Sequence, residues 1–206
     1  PGWLKISTRG APERERVRHL LADLHLNTVC EGAMCPNLCE CWASGTATFM
    51  ILGAACTRDC RFCAIPHTGT PPKPEGDEPA RVAEAAVRLG LRYVVLTSVT
   101  RDDLVDGGAA HFAAVLRAIQ ERLPDTGVEV LTPDFGGREC DVRTVIEARP
   151  TVFNHNVETC ERLTRDLRSG ADYRRSLAVL RMATDLGKQA GVFTKSGLML
   201  GLGETD

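Results

Sequence analysis

Apolar positions along the chain follow two alternating patterns. In several segments they recur every three or four residues, which predicts amphipathic helices, the first over residues 13–25. Between these segments stand short apolar runs, which are typical of buried strands. The predicted strands cover residues 49–52, 93–96, 128–131, 152–153 and 192–200. The helices predicted between them carry Val82 and Leu89, Phe112 and Ile119, Val142 and Ile146, and Tyr173 and Leu180.

Strands that alternate with helices in this way predict an α/β fold with a parallel sheet and right-handed crossovers. Polar residues follow the first four strands, namely Cys56, then Thr97-Ser98, then Pro133-Asp134, then Asn154-His155-Asn156. Because active sites of barrels are built at the carboxyl ends of parallel strands, we expect the functional site at this rim. The pattern gives about five βα strands, fewer than the eight of a complete TIM barrel.

Charge and hydropathy exclude several classes of protein. The 206 residues include 25 Lys and Arg and 27 Asp and Glu, giving a net charge of −2 without blocks of like charge. We therefore expect no nucleic-acid partner. No apolar run approaches the roughly 20 residues that span a bilayer, so no membrane partner is expected either. The first residues lack a signal-peptide pattern, which favours the cytoplasm, or an organelle matrix if a transit peptide has been removed.

The nine cysteines indicate metal chemistry in a reducing compartment, because a secreted disulfide framework is normally even in number, short and loop-rich. Cys56, Cys60 and Cys63 are separated by three and then two residues. Three soft thiolates on one loop suit an iron–sulfur cube, whose fourth iron is left for another ligand. A zinc site is the alternative, yet zinc prefers paired C-x2-C units and four ligands, and no second such pair follows.

A second cysteine group precedes the first. Cys30, Cys35 and Cys41 are separated by four and then five residues, and Cys39 lies between the last two. Three thiolates on one irregular loop again suggest a cube, while a zinc knuckle or buried thiols remain alternatives. Cys39 and Cys41 are too close in sequence for comfortable ligation of one metal, and spacing alone does not choose between them.

Both groups resemble motifs of known enzymes. The first, with the aromatic Phe62 before its last cysteine, resembles the cluster motif of the radical S-adenosylmethionine (SAM) superfamily. The string T-V-C-E-x-A-x-C-P-N-x-x-E-C-W, followed by G-T-A-T-F-M-I-L-G-x-x-C-T-R-x-C-R-F-C, resembles the lipoyl synthase family, and the resemblance extends over essentially the whole chain. It implies a partial (β/α)6 TIM-like barrel at residues 46–206, incomplete in this chain. It also implies a cysteine-rich extension at residues 1–45 that holds an auxiliary cluster on Cys30, Cys35 and Cys41, with Cys39 as an extra thiol.

The resemblance implies a definite chemistry. A [4Fe-4S] cluster on Cys56, Cys60 and Cys63 would bind SAM at its open iron and cleave it to a 5′-deoxyadenosyl radical. Two sulfur atoms would then enter C6 and C8 of an octanoyl chain on a carrier domain, with the auxiliary [4Fe-4S] cluster as their source. The family implies an electron donor such as ferredoxin or flavodoxin. No protein acid or base can remove an unactivated C–H hydrogen, so no catalytic side chain is assigned.

Three further segments match the family where SAM would bind. They are T-S-V-x-R-D-D-L, N-H-N-x-E-T and K-S-G-L-M-L-G-L-G-E. The resemblance implies that nine residues contact SAM: Phe62, Thr97, Ser98, Arg101, Asn154, Asn156, Glu158, Lys195 and Met199. The residues alone allow plainer roles. Asp102 or Asp103 could cap the next helix, and His155 could be a core histidine with its hydrogen bonds satisfied.

Two open points complete the sequence-based picture. The family closes its auxiliary cluster with a serine of an R-S-S-S-R motif that these 206 residues do not contain, so the fourth ligand is not assigned.

The basic stretch with Arg162, Arg165, Arg168, Arg174 and Arg175 suits a solvated helix face or, as a sharper hypothesis, a docking site for an acidic carrier. The alternatives in function are another sulfur-inserting radical SAM enzyme, such as a biotin synthase or methylthiotransferase, or a non-enzymatic metal-binding regulator.

Overall fold

The computed structural model describes residues 11–32, 38–68 and 70–205. At its centre lies a six-stranded sheet with strand order β1-β2-β3-β4-β5-β6. The strands are β1 Asn27–Thr28, β2 Thr46–Ile51, β3 Tyr93–Ser98, β4 Gly127–Leu131, β5 Val152–Asn154 and β6 Phe193–Lys195. The first pair is antiparallel and β2 to β6 are parallel. Five parallel strands with helical crossovers confirm the predicted α/β partial barrel.

Helices flank and connect the strands of this sheet. They are α1 Ala11–Asp23, α2 Val29–Gly32, α3 Leu38–Ala43, α4 Glu78–Arg88, α5 Ala109–Arg122, α6 Glu139–Glu147, α7 Glu161–Leu167 and α8 Tyr173–Ala190. Local chemistry sets their ends. Pro79 occupies the first turn of α4, where a missing N–H costs nothing. The Asp172 side chain accepts from the Arg175 N–H at the start of α8, and Gly191 ends that helix at φ 73°.

Alternate residues of the strands face opposite ways. Phe49, Leu96, Val130 and Phe153 are buried against the helices and form the core. The other face, toward the barrel interior, is partly polar. There Glu129 accepts hydrogen bonds from the Tyr93 hydroxyl at 3.2 Å, from the Asn154 amide at 2.9 Å and from the Lys195 ammonium at 2.9 and 3.1 Å. These bonds compensate the burial of the Glu129 carboxylate.

The structure corrects several sequence-based boundaries. The strand predicted over residues 192–200 spans only Phe193–Lys195, because its partner β5 ends at Asn154, which pairs with Lys195. The short elements β1, α2 and α3, and the separate helix α7, were not predicted, since none is long enough to show a clear period. In the described part of the chain no helix is both long and apolar enough to cross a bilayer.

Candidate cofactor site

A cavity of about 340 Å³ opens at the carboxyl ends of β2, β3 and β4, where the polar strand ends predicted the site. Its lining brings together residues from the cysteine loop, the strand ends and the segments before and after α7. The predicted site residues among them are Cys56, Cys60, Phe62, Cys63, Thr97, Ser98, Asn156 and Glu158. Val29, Arg58, Thr100 and Arg168 also line this cavity.

Backbone groups hydrogen-bond the sulfurs of Cys56 and Cys60. The Cys56 sulfur accepts from the N–H groups of Arg58 at 3.4 Å and Thr100 at 3.2 Å. Burial raises the pKa of the Cys60 thiol, while the positive charge of Arg168 and a hydrogen bond with the Ser169 backbone act in the opposite direction. N–H donors and a nearby cation stabilise thiolate sulfur, which is the form that binds iron. The pKa of Cys60 stays raised on balance, so the fit to a cluster rests on the three soft sulfur donors themselves.

The three cysteines of the loop line one cavity. Among the described residues, no group of three or more His, Cys, Asp or Glu side chains is arranged to hold one metal ion. Three thiolates around one cavity suit a cube, because each can then bind a different iron.

Arg58 fixes the cysteine loop to two neighbouring strand ends. Its guanidinium donates to Asp102 at 2.7 Å and to Asp134 at 2.9 and 3.0 Å. Asp134 also accepts from Arg175 at 3.0 Å. Although burial alone would raise the pKa of Asp134, the hydrogen bonds and charge of Arg58 lower it to about 2. A buried carboxylate between two guanidinium groups stays ionised and holds the loop in place.

Two hydroxyls of β3 face the cavity with different hydrogen bonding. Thr97 Oγ1 donates to the Leu131 carbonyl at 3.1 Å. Ser98 Oγ is buried and has no hydrogen-bond partner in the described chain. A buried hydroxyl without a partner costs free energy, so Ser98 is poised to bond a ligand placed in the cavity.

Asn156 and Glu158 form a second polar group in the cavity wall. Burial raises the pKa of Glu158, while a hydrogen bond with the Asn156 side chain and the charge of Arg168 work against that rise. Glu158 has a φ of 67°, and its N–H and C=O bond Gly197 and Met199. This left-handed backbone is uncommon for a residue other than glycine and is held by those two bonds.

Four residues predicted as SAM contacts lie outside the cavity lining. Arg101 is 1% exposed and is bonded to Asp103 and to the Leu52 carbonyl. Asn154 and Lys195 bond Glu129 in the barrel interior, and the Met199 N–H donates to the Glu158 carbonyl at 2.8 Å.

The helix cap that the residues alone allowed at Asp102 or Asp103 is not formed. Helix α5 begins after Gly108, while Asp102 and Asp103 pair with Arg58 and Arg101 respectively. The two carboxylates therefore serve the cysteine loop and the strand end rather than the helix.

The second cysteine group lies partly outside the described residues. Cys35 and the side chain of Cys39 belong to the undescribed part, so their positions are not given. Cys30 is buried on α2, and Cys41 is partly buried on α3. Both helices pack against β2. Val29, next to Cys30, lines the same cavity as Cys56, which places the start of this group beside the first.

Sequence reasoning overlooked Arg168, which it assigned to a basic helix face. The side chain of Arg168 is 8% exposed and lines the cavity, and Arg175 is committed to Asp134. Arg162, Arg165 and Arg174 are exposed, as a solvated helix face requires, and the hypothesis that some of these arginines dock an acidic carrier stays a prediction. His155 is a satisfied core histidine, with bonds on both ring nitrogens.

Comparison with known proteins agrees with this geometry. Residues 50–206 match the Radical SAM superfamily, and the chain belongs to it. Two solved structures share the fold. A methylornithine synthase aligns with a TM-score of 0.59 at 17% identity, over 93% of this chain and 57% of its own. The FeFe-hydrogenase maturase HydG from Carboxydothermus hydrogenoformans aligns with a TM-score of 0.62 at 12% identity, over 95% and 51%.

Within this superfamily the chain belongs to the lipoyl synthase family. It is 56% identical to the lipoyl synthase of Pyrobaculum arsenaticum, over 100% of this chain and 69% of that protein. It is 53% identical to the enzyme of Rubrobacter xylanophilus and 55% identical to that of Methylococcus capsulatus. The whole chain aligns in both cases and spans 63% of each relative's length.

Proposed function

We propose that this chain carries the radical SAM core of a lipoyl synthase, which inserts two sulfur atoms at C6 and C8 of a protein-bound octanoyl chain. The family relationship supports the reaction. The observation that carries the proposal is the single cavity that joins Cys56, Cys60 and Cys63 to the strand ends of the barrel. A biotin synthase or methylthiotransferase would share this cavity, but the identity of 53% to 56% is to lipoyl synthases.

In this proposal the three cysteines of the loop hold a [4Fe-4S] cluster, and the rest of the cavity holds SAM. Thr97, Ser98, Asn156 and Glu158 offer hydroxyl, amide and carboxylate groups for the ribose and the amino group. Phe62 supplies an apolar wall beside the cysteines. When bound, the cluster and SAM supply the one-electron chemistry that removes hydrogen from an unactivated carbon. Arg101, Asn154, Lys195 and Met199 would act behind the cavity wall.

We infer that Cys30, Cys35 and Cys41 hold the second [4Fe-4S] cluster, which provides the sulfur. The contact of α2 and α3 with β2, and the position of Val29 in the cavity wall, support a location near the first cluster. The division into an extension at residues 1–45 and a barrel at residues 46–206 belongs to the same proposal. An octanoylated carrier domain and a reducing partner such as ferredoxin or flavodoxin, in the cytoplasm or an organelle matrix, complete it.

Mass spectrometry of the carrier tests this function directly. The full-length protein, loaded with clusters under anaerobic conditions, is incubated with SAM, a reductant and an octanoylated carrier peptide. The expected product carries two added sulfur atoms, with two molecules of 5′-deoxyadenosine formed per product. Cleavage of SAM without sulfur in the peptide, or sulfur insertion into dethiobiotin instead, would reject the proposed substrate while leaving the radical SAM assignment.

A further inference from the structure

The segment that follows β3 binds the start of the cysteine loop through its backbone. The Thr100 N–H donates to the Cys56 sulfur at 3.2 Å. In the other direction, the Thr100 carbonyl accepts from the Thr57 N–H at 3.0 Å and from the Thr57 hydroxyl at 2.9 Å. The Asp102 N–H donates to the same hydroxyl at 3.1 Å. These four bonds join the two chain segments at the first cysteine of the loop.

Arg101 stands inside this segment, but its side chain binds elsewhere. It is 1% exposed, and its Nη1 atom donates to the Leu52 carbonyl at 3.1 Å. Its Nε and Nη2 atoms donate to the two carboxylate oxygens of Asp103 at 2.9 and 2.8 Å. A guanidinium that makes three such bonds in the protein interior is held in one orientation. Arg101 therefore fixes the backbone on either side of it, including Thr100.

Leu52 is an unusual anchor, because it is buried and its backbone is left-handed, with a φ of 67°. Such a backbone is uncommon for a residue other than glycine and is kept in place by its surroundings. The Leu52 N–H donates to Glu78 Oε2 at 3.0 Å, and the same oxygen lies 2.6 Å from His111 Nε2. With the bond from Arg101 to its carbonyl, Leu52 is held on both sides, four residues before Cys56.

One piece of chain thus holds both ends of the stretch from Leu52 to Cys56. The Arg101 side chain binds the first end and the Thr100 backbone binds the second. Without the arginine the segment after β3 is free to shift relative to the end of β2. The bond to the Cys56 sulfur should weaken first, because sulfur is a weaker acceptor than a carbonyl oxygen. Hydrogen bonds to cysteine sulfurs help to set the reduction potential of an iron–sulfur cluster, since they stabilise the negative charge added on reduction.

We propose that Arg101 is a positioning residue, which holds the Thr100 N–H against the Cys56 sulfur and thereby raises the reduction potential of the cluster on the loop. This inference rests on the loop cluster that the proposed function includes, and not on the carrier or the insertion of sulfur. It differs from the role of a SAM contact, which the sequence resemblance implied for Arg101. A SAM contact would affect the affinity for SAM and leave the potential of the SAM-free cluster unchanged.

The reduction potential of the SAM-free cluster tests the proposal. Full-length protein is loaded with clusters anaerobically, and a redox titration follows the EPR signal that is missing from the Cys56/Cys60/Cys63→Ala variant. Arg101→Lys keeps the positive charge but not the three-bond fork. We expect its potential to fall by about 59 mV, a tenfold loss in the equilibrium constant of a one-electron reduction, as for one weakened hydrogen bond. Asp103→Asn disturbs the fold less, because the Asp103 side chain is 33% exposed, and should shift the potential in the same direction by less.

Arg81 offers a matched control. Like Arg101, it donates to backbone carbonyls, those of Leu24 and His25 at 2.8 and 3.0 Å, and it pairs with carboxylates. Arg81→Lys should lower the unfolding temperature without moving the potential of the loop cluster. Three results would overturn the proposal: an equal shift of potential in Arg81→Lys, lower stability of Arg101→Lys at unchanged potential, or weaker SAM binding by Arg101→Lys at unchanged potential.

Hydrogen exchange in the metal-free protein tests the same contact without a cluster. The Thr100 N–H should exchange about tenfold faster in Arg101→Lys than in the unaltered protein or in Arg81→Lys, as for roughly one weakened hydrogen bond. Unchanged exchange would reject the role of Arg101 even if the protein inserts sulfur. Conversely, failure to insert sulfur, with the exchange rate and the potential changed as expected, would reject the proposed function and leave this inference standing. A loop that binds no cluster would overturn both.

Discussion

Arg58 binds both carboxylate oxygens of Asp134, at 2.9 and 3.0 Å, and so ties the loop between Cys56 and Cys60 to the end of β4. Asp134 is completely buried and the Arg58 side chain is 9% exposed. The same guanidinium reaches Asp102 after β3, so one cation connects the cysteine loop to two strand ends. The shape of the loop is thereby supported by contacts of the protein's own side chains.

Breaking this buried pair should destabilise the fold and impair cluster assembly. Asp134→Asn leaves Arg58 and Arg175 without their shared carboxylate, which should lower the free energy of unfolding by about 3 kcal/mol. Urea unfolding measures that loss, and the yield of reconstituted iron measures the effect on the loop. Glu161→Gln breaks the exposed pair with Arg174 and serves as the control, with no measurable change expected. Equal stability of the two variants would show that the Arg58 pair does not hold the loop.

The contribution of Asp134 should depend on pH in a definite direction. Its pKa is about 2 in the folded chain and higher when unfolded, so its ionised form is stabilised by folding. The contribution is therefore complete above roughly pH 4 to 5, near and above the unfolded pKa of about 3.9, and falls as pH drops toward 2. The stability difference between unaltered protein and Asp134→Asn should be constant from pH 7 to 5 and narrow below pH 4. A difference that widens on acidification would contradict the assigned ion pair.

Gly108 should tolerate alanine less well than Gly90, although both have positive φ. A Cβ on Gly108 would stand 2.4 Å from Leu52 Cδ1, whereas nothing lies within 4 Å of one on Gly90. Both changes incur backbone strain of about 1 kcal/mol. Gly108→Ala should cost a further 1–3 kcal/mol or so, because Leu52 is buried and cannot easily move. Thermal unfolding of the two variants checks this order, and equal losses would refute the crowding at Leu52.

Ser98 and Thr194 offer a matched pair of buried hydroxyls without partners in the described chain. Ser98 lines the cavity and Thr194 does not. Ser98→Ala and Thr194→Val should both leave unfolding stability equal or slightly higher, because each removes an unsatisfied polar group. Only Ser98→Ala should weaken SAM binding, by about fivefold for one lost hydrogen bond. Unchanged affinity in Ser98→Ala would remove Ser98 from the proposed SAM contacts.

Sequence reasoning predicted the features that depend on local pattern. The strand–helix alternation, the rim location of the site and the grouping of Cys56, Cys60 and Cys63 follow from periodicity and spacing, and the structure reproduces them. The length of β6 did not follow, because it depends on where its partner strand β5 ends, at the pair of Asn154 with Lys195, and that pairing is a tertiary contact. Periodicity contains no information about such contacts.

The roles of individual polar residues were harder to predict, because a motif gives a position and not a side-chain direction. Arg101 stands within a matched segment, yet it turns inward to Asp103 and the Leu52 carbonyl. Arg168 stands among exposed arginines, yet it lines the cavity. Only the packing of α7 and α8 on the barrel separates Arg168 from its neighbours in sequence.

Counting iron and sulfide tests the central claim most directly. The full-length protein and its Cys56/Cys60/Cys63→Ala variant are reconstituted anaerobically, and iron and acid-labile sulfide are measured per chain. The account predicts about eight irons in the unaltered protein and about four in the variant, since two [4Fe-4S] clusters occupy separate cysteine groups. About four irons in the unaltered protein, none of them retained in the variant, would contradict it. The second cysteine group would then hold no cluster, and the proposed source of sulfur would be absent.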